Sequence, residues 1–411
     1  MLLGAIADDL TGATDLALTL SRTGMRVLQV VGVPETRDFG PAEAVVVSLK
    51  SRTIPAAAAV TQSTAAARAL LAGGAQQILF KYCSTFDSTD DGNIGAVIDA
   101  LLDLLCETRT IACPAFPANG RRVYRGHLFV GDALLSESPM RDHPLTPMRD
   151  ANLPRVLQRQ TSRAVSLIPH EVVTDLPALE DAITRLTGIA IVDAVNDTDL
   201  CAIGRAARGL RLVTGGSGIA LGLPANLLPE GRAAEPVALT VAPGRGVILA
   251  GSCSAATQGQ VASAIAAGLP ALRLDALEIA EGRMTCAQAA DFVNAATGDM
   301  PPLVYSSADS VAVRAVQDRL GRDQAGTLIE DFLAQLARIL ADSGTNRFIV
   351  AGGETSGAVV NGLGLSALEI GPEIAPGVPW TRTPDARFGL ALKSGNFGTP
   401  EFFLRAWQMR P

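Results

Sequence analysis

Short β-rich runs alternate with helix-forming segments along the first 223 residues, and few folds accept that rhythm. The runs cover residues 2–7, 27–33, 44–49, 77–82, 110–113, 164–168, 189–194 and 210–214. Between two of them, Ile94, Val97, Ile98, Leu101, Leu102 and Leu105 recur at helical spacing. That spacing predicts an amphipathic helix over 92–106, capped by Asp90 or Asp91, with Asp99 and Asp103 on its wet face. Strands separated by helices pair in parallel, because each return needs a crossover, and their sheet is covered on both faces. The expected fold class is therefore α/β.

A chain of 411 residues is long for one core, so two domains are expected. Residues 224–246 change character, with four prolines among glycines and alanines. The division this implies is a first domain over 1–228, a linker or crossover over 229–245 and a second domain over 246–411. After the linker the alternation restarts, with strands expected at 247–250, 271–274, 303–305 and 347–351. Helices are expected at 255–267 and 286–296, and a longer helical stretch at 310–340, broken near 321–324. No internal repeat is evident.

The formal charge of −7 does not favour nucleic acid or an anionic membrane surface. The apolar start meets two aspartates at once, and no run reaches the ~18 apolar residues of a membrane span, so neither a signal peptide nor a spanning segment is expected. The six cysteines show no CxxC spacing and the three histidines are scattered. Reduced thiols and no structural zinc follow as expectations.

At the end of the first strand stands IADDLTGATD, residues 6–15. In an open α/β sheet, ligands sit at the carboxyl ends of strands, where Asp8 and Asp9 fall. A helix start also favours a carboxylate cap, so the local pattern fits a helix-start cluster as well as a reactive pair. Other strand ends of this half carry Arg52 in Ser51-Arg52-Thr53, and Lys81, Ser84, Thr85 and Asp87 in FKYCSTFDST. A hairpin expected over 117–130 holds Arg121, Arg122, Arg125 and His127, and a proline-braced loop over 141–150 holds His143 and Thr146. TGGSGIALGLP, residues 214–224, reads as a further helix start able to take an anion, with Gly216 and Ser217 at its turn. Together these residues describe a pocket for a small polyhydroxylated acid; unconnected loops are the blander reading.

The second half carries three glycine-rich turns: AGSCSAATQGQ at 250–260, VAGGETSGAVV at 350–360 and LKSGNFGTPEFF at 392–403. Glycine lets backbone N–H groups approach an anion, and hydroxyls of Ser252, Ser254, Thr355 and Ser356 add donors, so phosphate binding is expected here. Neither a Walker A loop nor a GxGxxG after the first strand is present. Glu354 repels phosphate, which suits a contact to a nucleotide hydroxyl or a metal, or a plain helix cap.

Taken in order, IADDLTGATDLA, KYCSTFDST, VYRGHLFV, DHPLTPM, TGGSGIALGLP, GSCS, AGGETSG and LKSGNFG resemble the four-carbon acid sugar kinase family across nearly the whole chain. The resemblance implies an N-terminal sugar-acid domain and a C-terminal nucleotide domain, each a mostly parallel sheet flanked by helices, with the active site in the cleft between them. It implies ATP with Mg²⁺ and a cytoplasmic location, and places the nucleotide on Ser252, Ser254, Gly352, Gly353, Glu354, Thr355 and Gly395. KYCSTFDST and DHPLTPM are similar to the branch that phosphorylates the C4 hydroxyl of a 3-oxo four-carbon acid. Threonate and erythronate kinases of the family, which more often show a DSTxRG-type stretch, are the first alternative. A non-catalytic sugar-acid sensor is the second.

On this reading Asp8 or Asp9 orients the hydroxyl and takes its proton, and Arg52, Lys81, Ser84 and Arg122 grip the acid. His143, Gly216 and Ser217 complete the substrate pocket, while Asp15, already inside the helix, is structural. Metal ligands are not identified, and the expected partners are the sugar acid and ATP, compatible with a homo-oligomer.

Overall fold

The structure, a computed structural model, describes residues 1–143, 145–229, 239–306 and 321–409. Residues 230–238 of the expected linker, residues 310–320 of the expected long helical stretch, and Pro144 lie outside the described residues. The chain divides into two compact units, Met1–Glu235 and Pro236–Pro411.

The first unit contains strands β1 (Leu3–Ala7), β2 (Val27–Val31), β3 (Ala44–Ser48), β4 (Gln77–Lys81), β5 (Arg109–Cys113), β6 (Arg121–Tyr124), β7 (His127–Val130), β8 (Ala133–Leu134), β9 (Val165–Ile168), β10 (Gly188–Val192) and β11 (Leu212–Gly215). Eight of them form a sheet in the order β2-β3-β1-β4-β11-β5-β10-β9, parallel throughout. Every residue of β1, β3 and β4 is buried, as strands covered on both faces require. The helix Ile94–Leu105 buries the apolar stripe read from its spacing. The expected hairpin is β6 and β7, which β8 extends to a separate three-stranded antiparallel sheet.

Register decides where chemistry can gather. Ala7 pairs with Ser48 on one side and Lys81 on the other, and Lys81 pairs with Gly215. The carboxyl ends of β3, β1, β4 and β11 therefore lie on one edge. β1 leads to β2 on one side of the sheet and its neighbour β4 leads to β5 on the other, so a switch point of the kind where open α/β sheets bind ligands lies between β1 and β4.

The second unit contains β12 (Arg245–Ala250), β13 (Ala271–Arg273), β14 (Leu303–Tyr305), β15 (Thr345–Ala351), β16 (Ala367–Ala375), β17 (Val378–Arg382) and β18 (Gly389–Lys393), in the order β13-β14-β12-β15-β18-β17-β16. The first five are parallel; β17 runs antiparallel to both β18 and β16. Ala250, Ala351 and Lys393 are neighbours in register, so the three glycine-rich turns leave the same edge of adjacent strands. Trp380 is wholly buried in this core, with its Nε1 donating to the Ala406 carbonyl at 3.2 Å.

No helix among the described residues is long and apolar enough to cross a membrane.

Candidate functional site

Arg52 organises the edge of the first unit. It donates from Nε to Asp8 Oδ2 and from Nη2 to Asp8 Oδ1, both at 2.8 Å, and Nη2 also reaches Asp9 Oδ1 at 2.7 Å. Its Nη1 stands 3.8 Å from Asp87 Oδ2. Lys81 Nζ lies 3.4 Å from Asp9 Oδ1 and 3.8 Å from Asp8 Oδ1. Three carboxylates thus share two cations. The Asp8 side chain is 6 % exposed and that of Asp9 26 %, so Asp9 is the carboxylate open to a ligand.

Local structure fixes each group. Asp9 is the N-cap of the helix Leu10–Arg22, accepting from the Gly12 N–H at 3.1 Å and from the Thr11 hydroxyl at 3.0 Å. The Asp8 N–H donates to the Lys81 carbonyl at 3.1 Å, and the Ser51 N–H to the Asp8 carbonyl at 2.9 Å, which ties the loop carrying Arg52 to β1. Asn93 then holds that loop by its backbone, donating to the carbonyls of Ser51 at 2.7 Å, Arg52 at 3.3 Å and Ile54 at 3.1 Å.

Burial pushes the Asp8 carboxyl above the usual carboxylate range, against the pull of Arg52 and Lys81. Burial acts in the same sense on Asp9, but there Arg52 and Lys81 outweigh it and hold the group well below that range. Burial works against the charge of both cations, and the two aspartates overcome it, so Arg52 and Lys81 stay charged. Asp15, 8 % exposed, is raised to about 6 by burial. Two groups of opposite tendency on one helix start are an arrangement suited to binding hydroxyls and moving a proton.

The structure thus brings Asp8, Asp9, Arg52 and Lys81 together and adds Asp87. Ser84 and Gly216 are close neighbours, since a Cβ on Gly216 would sit 3.5 Å from Ser84 Cβ. Ser217 is buried, and its hydroxyl sits beside the Asp15 carboxyl, whose charged form it favours. The helix expected there is a short 3₁₀ stretch, Ser217–Leu221. Arg122 donates to the Val195 carbonyl at 3.1 Å from its hairpin, and His143 Nδ1 is engaged by Thr146 within its own loop, at 3.2 Å from the N–H and 3.0 Å from the hydroxyl. Neither has a described contact with the Arg52 cluster.

In the second unit the GSCS turn and the KSGN turn meet. Ser254 caps the helix Ala255–Ala266, accepting from the Thr257 N–H at 3.2 Å, and its hydroxyl donates to the Gly395 carbonyl at 2.6 Å. Thr257 Oγ1 donates to that carbonyl at 3.0 Å and Lys393 Nζ at 2.8 Å. Close packing explains the glycines. A Cβ on Gly395 would lie 2.5 Å from Ser252 Oγ, and one on Gly251 2.3 Å from Thr355 Oγ1. Gly352 has φ +130°, open to glycine, and leads into the helix Gly353–Gly362, whose first turn carries Glu354 exposed to solvent. Among the described residues no group of three or more His, Cys, Asp or Glu is placed to hold a metal ion.

Sequence reasoning missed Gly12, Asn93 and Lys393. A Cβ on Gly12 would lie 1.7 Å from Lys81 Nζ, so only glycine lets the lysine cross the helix start; the glycine of DDLTG was a visible signal. Asn93 sat unremarked beside the two aspartates considered as caps. Lys393 was legible as a lysine ending an apolar run.

Two family models match the chain in order. Residues 3–223 match the family model described as a sugar-binding N-terminal domain, and residues 247–403 match a nucleotide-binding C-terminal domain. A 3-oxo-tetronate kinase of Cupriavidus necator is 56 % identical over 98 % of this chain and 95 % of its own length. One from Burkholderia multivorans is 54 % identical over 98 % and 96 %. A solved Salmonella typhimurium LT2 structure, described as a putative tRNA synthase, superposes with a TM-score of 0.90 at 42 % identity, covering 100 % of this chain and 99 % of that one. With both halves matched in order and likeness running the full length of such relatives, the chain belongs to the four-carbon acid sugar kinase family.

Proposed function

We propose that this chain is an ATP-dependent kinase that phosphorylates the C4 hydroxyl of 3-oxo-tetronate. The observation that carries the reading is 56 % identity, over nearly the whole length of both chains, to a protein named 3-oxo-tetronate kinase. The geometry of each unit supports it.

Phosphoryl transfer needs in-line placement and charge neutralisation more than covalent help. The second unit offers backbone N–H groups and the hydroxyls of Ser252, Ser254 and Thr355 to the phosphates, with Gly352, Gly353 and Gly395 allowing close approach. Glu354, being exposed, is free to meet a nucleotide hydroxyl. MgATP is the substrate, its metal carried on the phosphates, where it neutralises charge.

In the first unit Asp9 is assigned the acceptor hydroxyl. Its fixed cap geometry sets the direction of approach, and the nearby Lys81 and Arg52 limit its basicity. Such a carboxylate accepts the proton late, as the alcohol acidifies in the transition state. Asp8, locked to Arg52, holds the guanidinium in place. The acid's carboxylate is assigned to the cationic edge of Arg52 and Lys81, with Ser84, Gly216 and Ser217 offering hydrogen bonds beside it. Arg122 and His143 are assigned outer contacts to the acid.

An ADP-release assay with 3-oxo-tetronate, threonate and erythronate side by side tests the reading. The highest kcat/KM is expected on the 3-oxo acid. Preference for threonate or erythronate would move the enzyme to another branch, and binding without ADP release would make it a sensor.

A further inference from the structure

Lys393 ends β18 with its side chain fully buried. Buried lysines normally face a carboxylate. Here the ammonium donates instead to Thr257 Oγ1 at 3.1 Å, the Ser394 carbonyl at 3.0 Å and the Gly395 carbonyl at 2.8 Å. An ammonium has three protons and all three are used, whereas a neutral amine could donate only two. The acceptors are uncharged. The helix Ala255–Ala266 that supplies Thr257 contains no charged residue, and Glu354 and Glu401 of the adjoining turns are exposed. Among the described residues, no ion pair balances this cation.

We propose that Lys393 is a positioning residue for the nucleotide: its buried side chain clasps the Gly395 turn to the Ser254 cap and, when protonated, supplies the positive charge that a polyphosphate needs there. The inference rests on nucleotide binding by this unit. Three donors converging on the Gly395 carbonyl leave that turn one conformation, so the surface offered to phosphate is set before the ligand arrives. A charge in a poorly solvated interior also acts at longer range than one in water, so Lys393 need not touch the ligand. Burial pushes the amine down to about 7, and an incoming polyphosphate opposes that shift. Nucleotide binding is therefore coupled to proton retention at Lys393.

The chain has only three lysines, Lys50, Lys81 and Lys393, so ¹³Cε-lysine NMR of the full chain can follow each of them. One resonance should titrate near neutral pH in the free protein, and saturating ATP should raise its midpoint by about one unit or more. Lys393→Met keeps the length and removes the charge. It should abolish that resonance, weaken ATP binding at least tenfold, leave adenosine binding within twofold, and raise KM for ATP more than it lowers kcat. ATP affinity within twofold of wild type, or an ATP-independent Lys393 midpoint, would overturn the proposal. Should Lys393→Met not fold, Lys50→Arg assigns one resonance, and the ATP-dependent midpoint of the remaining pair decides, since Lys81 stays charged through neutrality. A wild type that binds no ATP at all would instead sink the nucleotide reading itself.

Discussion

Arg52 and Asp8 face each other fork to fork, through two hydrogen bonds of 2.8 Å between residues 44 positions apart in the chain. The geometry is bidentate, and lysine cannot reproduce it. Arg52→Ala should destabilise the protein by roughly 2–4 kcal/mol, because Asp8 is left buried without its partner. Arg52→Lys should recover part of that stability in urea melts but little activity. Full kcat/KM in Arg52→Lys would show that the fork is dispensable.

Asp9 combines helix capping with an assigned role in proton transfer, and one substitution separates them. Asparagine caps a helix about as well as aspartate. Asp9→Asn should therefore keep the cap but give up the charge that Arg52 and Lys81 favour, so it should melt below wild type, keep its affinity for ATP, and lose kcat by a factor of roughly 10² or more. Near-normal turnover would remove Asp9 from the chemistry and pass the role to Asp8, where Asp8→Asn repeats the test.

Asp15 makes stability depend on pH in a calculable direction. Its folded value of about 6 lies above the ordinary 3.8, so the folded state binds a proton more tightly than the unfolded one. Stability contributed by that proton is fully present below the unfolded value and is lost as pH rises toward 6. Asp15→Asn should match wild type near pH 4 and exceed it by up to ~3 kcal/mol at pH 8. Parallel urea curves at every pH would show that Asp15 does not titrate in this window.

Gly12→Ala should displace Lys81, because the added methyl would occupy the place of its ammonium. A cost of about 1–3 kcal/mol in stability is expected, with a larger fall in kcat/KM for the acid than in ATP affinity. Unchanged kinetics would mean that Lys81 has a second seat.

What the sequence displayed depended on the range of the interaction that formed it. The eight parallel strands of the first unit were legible because each is a local apolar run, and Asp8-Asp9 was legible as an adjacent pair. That Arg52 would serve Asp8 was not, since their pairing exists only once β1 and β3 are in register. The antiparallel strands β16 and β17 escaped notice because Pro372, Glu373 and Pro379 interrupt any alternation. Their charges are settled across strands instead, with Arg382 Nε donating to its register partner Glu369 at 2.9 Å. The short 3₁₀ stretch at Ser217 was mistaken for a helix because glycines and a serine before an apolar run spell either structure.

Asn93 gives the Arg52 loop an unusual tolerance. It reads three carbonyls, those of Ser51, Arg52 and Ile54, and carbonyls are the same whatever side chain follows. Thr53, exposed, and Ile54, half-buried, are thus held in place without being specified by identity. These two side chains can therefore change without loosening the loop, and the guanidinium beside them keeps its aim.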